Sequence, residues 1–208
     1  MDLIRPLQTV TPTLDGDVLA ALAAASEATF TTGQLHRVLP RHSEEGIRKV
    51  LQRLSKQGTV LSSRVGNAFV YQLNREHLAF PHIIGLAGLT GEFLRRLEVR
   101  LASWEIPPVY AAVFGSAARG TMSIDSDIDI FLVRPDAVAD EEWDEQVAEL
   151  MDEVTRWTGN DARDLQFMQS EIAGRGTDAP VLREVAKEGL TVAGSRAGFT
   201  RLLRQGNR

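Results

Sequence analysis

Residues 113–133, VFGSAARGTMSIDSDIDIFLV, place two carboxylates at alternate positions of an apolar run. In a strand, alternate side chains share a face, so Asp127 and Asp129 point one way while Ile128 and Ile130 point to a core. Two carboxylates that close raise each other's pKa and resist burial, and a divalent cation relieves the conflict. Magnesium suits such a pair, because it takes few carboxylate oxygens and completes its shell with water and substrate phosphates. Upstream, Gly115 lets the backbone approach a ligand closely. Ser116 opens a helix whose unpaired N–H groups and hydroxyl can hold phosphate oxygens, and Arg119, one turn on, either adds a cation for a triphosphate or forms a surface ion pair. Asp125, at the strand entrance, reads as a turn residue.

A chain of 208 residues with 43% hydrophobic side chains has room for one large or two small cores. The absence of cysteine excludes disulfides and thiolate metal sites. His36, His42, His77 and His82 lack ligand spacing, which argues against zinc. No apolar run is long enough for a membrane span and no apolar leader opens the chain, so a cytoplasmic protein that does not engage membranes is expected. The net charge of −5 is uneven, with nine Lys or Arg against seven Asp or Glu in residues 1–80 and fourteen against twenty-one in residues 81–208. A mildly basic head on an acidic body points to two parts with different partners.

The head, residues 1–80, reads as three helices and a hairpin. Leu14, Val18, Leu19 and Leu22 share a helical face in LDGDVLAALAAA. TTGQLHRVLP offers a threonine cap, the stripe Leu35, Val38 and Leu39, and a stop at Pro40. In SEEGIRKVLQRLSKQG, Ser43 caps and Ile47, Val50, Leu51 and Leu54 recur at helical spacing until Gly58. TVLSSRV and AFVYQL then flank a Gly66-Asn67 turn. This order resembles the winged helix-turn-helix family. In that reading the third helix is a recognition helix presenting Arg48, Lys49, Gln52, Arg53 and Lys56 to DNA or RNA, with Arg64 near the wing tip reaching a phosphate. A protein-docking use of the module and a purely structural role are the competing readings.

Residues 81–106 read as one connecting helix with Ile83, Leu86, Phe93, Leu97, Leu101 and Trp104 in a stripe, ended by Pro107-Pro108. It either packs on the second domain's sheet or pairs two chains as a homodimer. Residues 107–208 alternate strand and helix: VYAAVFG, a short helix at SAARGTM, DIDIFLV, a long helix DEEWDEQVAELMDEVTRWTG, ARDLQFM, a helix APVLREVAKEG and a last strand LTVAG. The acids of the long helix fall on its outer face and read as solvated. The fold class expected is α+β, a winged helix-turn-helix domain plus a small mixed-sheet domain with flanking helices.

Phe114-Gly115-Ser116, ten residues, then Asp127-Ile128-Asp129-Ile130 resembles the signature of the DNA polymerase β-like nucleotidyltransferase superfamily, in its minimal form. The resemblance covers roughly residues 85–195. It implies a small mixed-sheet nucleotidyltransferase domain that moves a nucleoside monophosphate from an NTP to a hydroxyl with two Mg²⁺ ions, pyrophosphate leaving. It implies further that Asp127 and Asp129 bind the ions and that Gly115 and Ser116 hold the phosphates. A third carboxylate is expected on a later strand. Asp164 is the candidate, and a register two residues on puts Gln166 in that place.

The function implied is a Mg-dependent nucleotidyltransferase acting on a macromolecular acceptor, nucleic acid or protein, and targeted by the head. Minimal members of the family also make a role in a toxin–antitoxin pair conceivable. The alternative is a DNA-binding transcriptional regulator whose nucleotide-binding domain is catalytically weak or inactive. A scaffold for a helical partner, with no chemistry, is a third reading.

Overall fold

The computed structural model describes residues 1–175 and 179–205, and its architecture is α+β. The chain divides into two compact units, one made of Ile4–Thr90 with Asp2, the other running from Gly91 onward and including Met1 and Leu3.

In the first unit, α1 (Leu14–Ala23), α2 (Thr32–Val38) and α3 (Glu44–Lys56) precede a hairpin of β1 (Val60–Val65) and β2 (Ala68–Leu73), and α4 (Phe80–Ala87) follows. The helix starts are written in the sequence. Thr31 and Gln34 form a reciprocal capping box, and Ser43 Oγ accepts from the Gly46 N–H at 3.1 Å. The α3 stripe Ile47, Val50, Leu51 and Leu54 is buried against Val18, Leu22, Leu35, Val60, Tyr71 and Leu73. Val38 was expected beside Leu35 in the stripe of α2, but α2 ends there and the side chain is exposed. The hairpin is antiparallel from Val60↔Leu73 to Val65↔Ala68. Its turn has φ of +60° at Gly66 and no positive φ at Asn67, which fits a type II′ turn with glycine first.

The expected connecting helix is two helices. Gly88 caps α4, its N–H donating back to the Ile84 and Gly85 carbonyls, and α5 (Leu89–Ala102) starts beyond it. Trp104 lies beyond the end of α5, buried edge-on against Trp143 with ring centroids 5.4 Å apart.

The second unit continues with β3 (Tyr110–Phe114), α6 (Gly115–Arg119), β4 (Ile128–Arg134), α7 (Asp140–Thr158), β5 (Ala162–Met168), α8 (Gln169–Arg175), α9 (Pro180–Glu188), β6 (Leu190–Ala193) and α10 (Arg196–Gln205). Its sheet has the order β5-β4-β3-β6, with β4 antiparallel to β3, β3 antiparallel to β6, and β4 parallel to β5. Both faces are covered. Ile128, Ile130 and Leu132 of β4 pack with residues of α5 and α7, including Leu97, Leu101, Trp143, Leu150 and Val154. Phe131 and Val133 face the other way, among Ile172, Leu182, Val185, Phe199 and Leu203 of α8, α9 and α10. The helices α8 and α10 were not foreseen; α10 stacks Phe199 on Tyr110 at 4.4 Å.

The acids of α7 are not all solvated. Arg100 of α5 donates to Glu153 at 2.7 Å and to Glu149 at 2.9 Å, so part of that outer face fastens two helices together. Among the described residues, no helix is long and apolar enough to cross a membrane.

Candidate active site

The strand β3 ends at Phe114, and the chain turns into α6 through Gly115 at φ +67°, a conformation L side chains rarely adopt. The turn is fixed by sheet register, since Phe114 lies opposite Asp129 on β4. A Cβ on Gly115 would overlap the Asp129 carboxylate, so only glycine lets the turn and the acid share this space. Gly120, left-handed at φ +72°, closes α6 after Arg119.

Alternation along β4 puts Asp129 on the face of Phe131 and Val133, with Asp127 just before the strand's first residue. Farther along β4, around Phe131 and Val133, that face is filled by apolar side chains, and the acids stand at its end. Burial, and behind it the charge of Asp127, pushes the Asp129 carboxyl above the usual aspartate range, against the pull of Arg163 and Arg119. The loop leading to Asp127 is tied from behind. Asn160, buried just after α7, donates through Nδ2 to the Ile124 carbonyl at 3.1 Å and the Ser126 carbonyl at 2.9 Å.

Two charged residues at this face were not foreseen. Arg163 of β5 lies opposite Asp129 in the parallel register, and its Nη1 reaches Asp127 Oδ2 at 2.7 Å. Glu184 of α9 forms an ion pair with Arg119, the residue expected to meet a triphosphate. The strand pattern of β5 contained a signal for the first. Leu165 and Phe167 lie on the core face shared with Asp129, and alternation carries that face back to Arg163. Glu184 depends on how α9 packs, which no local pattern in its sequence specifies.

Asp164 is not where a third carboxylate was expected. It lies opposite Ile130 in register, on the α7 side of the sheet. There Gln166 donates to Asp164 at 2.7 Å and accepts from the Trp143 indole N–H at 2.6 Å. The alternative register does not rescue the assignment, because Gln166 shares that face. Among the described residues, no three acids or histidines stand close enough to form a cation cage by themselves.

In the first unit, the basic face of α3 is partly neutralised by its own neighbours. Arg48 donates to Glu45 at 2.9 Å, Lys49 lies 3.9 Å from Glu45, and Arg53 is paired with Asp15 of α1. Gln52 and Lys56 stand exposed beside them, and Arg64 donates to the Gly66 carbonyl at 3.1 Å within the hairpin.

The segment carrying the glycine turn and both acids lies within a match to a known family. Residues 95–174 match the nucleotidyltransferase domain family. The matched span holds β3 to β5 and most of α5. No curated protein matches the chain. Among solved structures, one described as a toxin–antitoxin with AMP-PNP aligns at 19% identity and TM-score 0.38, covering 54% of this chain and 83% of that one. A mutant of the toxin–antitoxin MntA–HpeT aligns at 16% identity and TM-score 0.40, covering 55% and 83%. TrmBL2, described as an archaeal chromatin protein with a novel mode of DNA binding, aligns at 16% identity and TM-score 0.30, covering 90% and 77%.

Proposed function

We propose that the nucleotidyltransferase domain transfers a nucleoside monophosphate from an NTP to a hydroxyl of a macromolecular acceptor. In this reaction the acceptor oxygen bonds to the α-phosphorus while the bond to the β-phosphate oxygen breaks, releasing pyrophosphate and a proton. The observation that carries the proposal is the shared space of Gly115 and Asp129, beside Asp127, in a segment matching the family.

The residues suit a divalent cation. Asp129 is held partly buried with its charge unfavourable, an arrangement that a cation offsets, and the absent side chain at Gly115 leaves the carboxylate uncovered. Asp127 and Asp129 would hold Mg²⁺, with water and phosphate oxygens completing the shell. Such an ion neutralises charge on the phosphates and orients the reacting oxygens. Gly115 and Ser116 line the turn where a triphosphate would lie. Arg119 would meet the same phosphates by leaving Glu184.

The three helices and hairpin of the first unit fit a winged helix-turn-helix module that brings the domain to DNA or RNA through Gln52, Lys56, Arg48, Lys49, Arg53 and Arg64. Incubation with α-labelled NTPs, Mg²⁺ and candidate RNA and protein acceptors tests the chemistry. Label transfer by the wild type and its loss in Asp127→Ala support transfer.

One observation favours a second reading, a DNA-binding regulator whose domain binds nucleotide and transfers it poorly. The face of Asp127 and Asp129 carries Arg163 on β5, and Asp164 lies across the sheet. Under that reading, nucleotide binds without label moving to any acceptor.

A further inference from the structure

We propose that Arg163 is a resident counter-ion of the acidic pair, one that a divalent cation must displace from Asp127 in order to bind. The inference rests on the reading of Asp127 and Asp129 as the cation ligands and adds a residue that opposes them.

Three observations converge on Arg163. Its guanidinium contacts Asp127 at 2.7 Å, and its backbone lies opposite Asp129, so one cation faces both acids. Its second contact, Nε to Asp161 at 3.3 Å, is longer and leads to a carboxylate that is 66% exposed. The side chain is itself 62% exposed, so nothing encloses it and it can swing away without unfolding the sheet. A guanidinium on Asp127 occupies carboxylate oxygens that a metal ion needs, and the two cations repel each other at that range. Binding of metal therefore includes release of the ion pair, which lowers affinity for the free ion. A metal ion arriving with a triphosphate is less affected, because the displaced guanidinium finds phosphate oxygens as new partners.

The test is direct binding of Mn²⁺ in the absence of nucleotide, measured by electron paramagnetic resonance on the full chain. Wild type, R163Q, D127N and R95Q are compared. R95Q removes the same charge from α5, where Arg95 is paired with Glu92 and is not among the charges acting on Asp129. The expected result is Mn²⁺ affinity about two- to fivefold tighter in R163Q, the range an exposed ion pair supplies, with R95Q unchanged and D127N strongly weakened. Adding a nonhydrolysable NTP narrows the difference between wild type and R163Q. If Mn²⁺ binds to the wild type, is lost in D127N and is equal in R163Q, the acids are ligands and the counter-ion role is overturned. Equal tightening in R95Q overturns it too, by reducing the effect to net charge. If no form binds Mn²⁺, the metal reading itself falls and the inference with it.

Discussion

Gly115 and Asp129 occupy one another's space: the carboxylate lies where a glycine side chain would begin. Gly115→Ala therefore meets two penalties, a strained positive φ and a collision with the acid, together about 1–3 kcal/mol. Urea unfolding is expected to show that loss. Label transfer is expected to fall about a hundredfold, since displacing Asp129 by a fraction of its length misaligns the reacting groups. Transfer at the wild-type rate would remove the turn from the proposed mechanism.

Asp164 gives the opposite expectation. Because it faces α7 and is held by Gln166, Asp164→Asn leaves label transfer within about twofold, whereas Asp127→Asn lowers it by orders of magnitude. Equal loss in both variants would mean that the two strands pair differently when nucleotide is bound.

The acid at position 129 makes stability depend on pH in a direction unusual for aspartate. Its folded pKa lies above the ordinary value of 3.8, so the fold retains its proton more readily than the unfolded chain does. Its contribution is full below the unfolded pKa and is lost as pH rises through the folded one. Asp129→Asn, which mimics the protonated form, is expected to melt above the wild type at pH 7 in EDTA, with the gap closing as pH falls toward 3.8. Mg²⁺ should raise the wild-type melting temperature and leave the variant's unchanged. A gap that widens on acidification would reverse the assignment.

Asn160 positions the loop that delivers Asp127 without touching the acid. Asn160→Ala leaves the carbonyls of Ile124 and Ser126 without their side-chain donor and costs about 1–3 kcal/mol. The expected signature is a lower melting temperature together with weaker Mn²⁺ binding, while Asn160→Asp, which keeps an acceptor for the Met1 amine but sets a second acceptor oxygen against the two carbonyls, does not restore Mn²⁺ binding.

In the first unit, Asp15 forms an ion pair with Arg53 on the face of α3 proposed to meet nucleic acid. Asp15→Ala should strengthen binding to duplex DNA, and Lys56→Ala should reduce the slope of log K against log salt by about one. Filter binding across a salt series measures both. No change in either variant would remove α3 from the nucleic-acid surface.

The α3 stripe could be read from the sequence because helical periodicity and a serine cap are local signals, and Ile47, Val50, Leu51 and Leu54 are all buried. Period two along DIDIFLV likewise marks a common side for Asp127 and Asp129, although β4 itself begins only at Ile128. What remained hidden depends on pairing. ARDLQFM shows which residues alternate but not which set meets the acids, and here both sides of the sheet are packed. The break at Gly88 was concealed because apolar spacing continues across it from Ile83 to Leu101.

The stack of Tyr110 on Phe199, with Phe131 edge-on to both, solidly fills the sheet face just beyond the two acids. A nucleobase finds no slot between those rings. Under the proposed function, a nucleotide bound at the carboxylates lies with its phosphate end outside this floor, and a preference among bases would come from surfaces other than these rings.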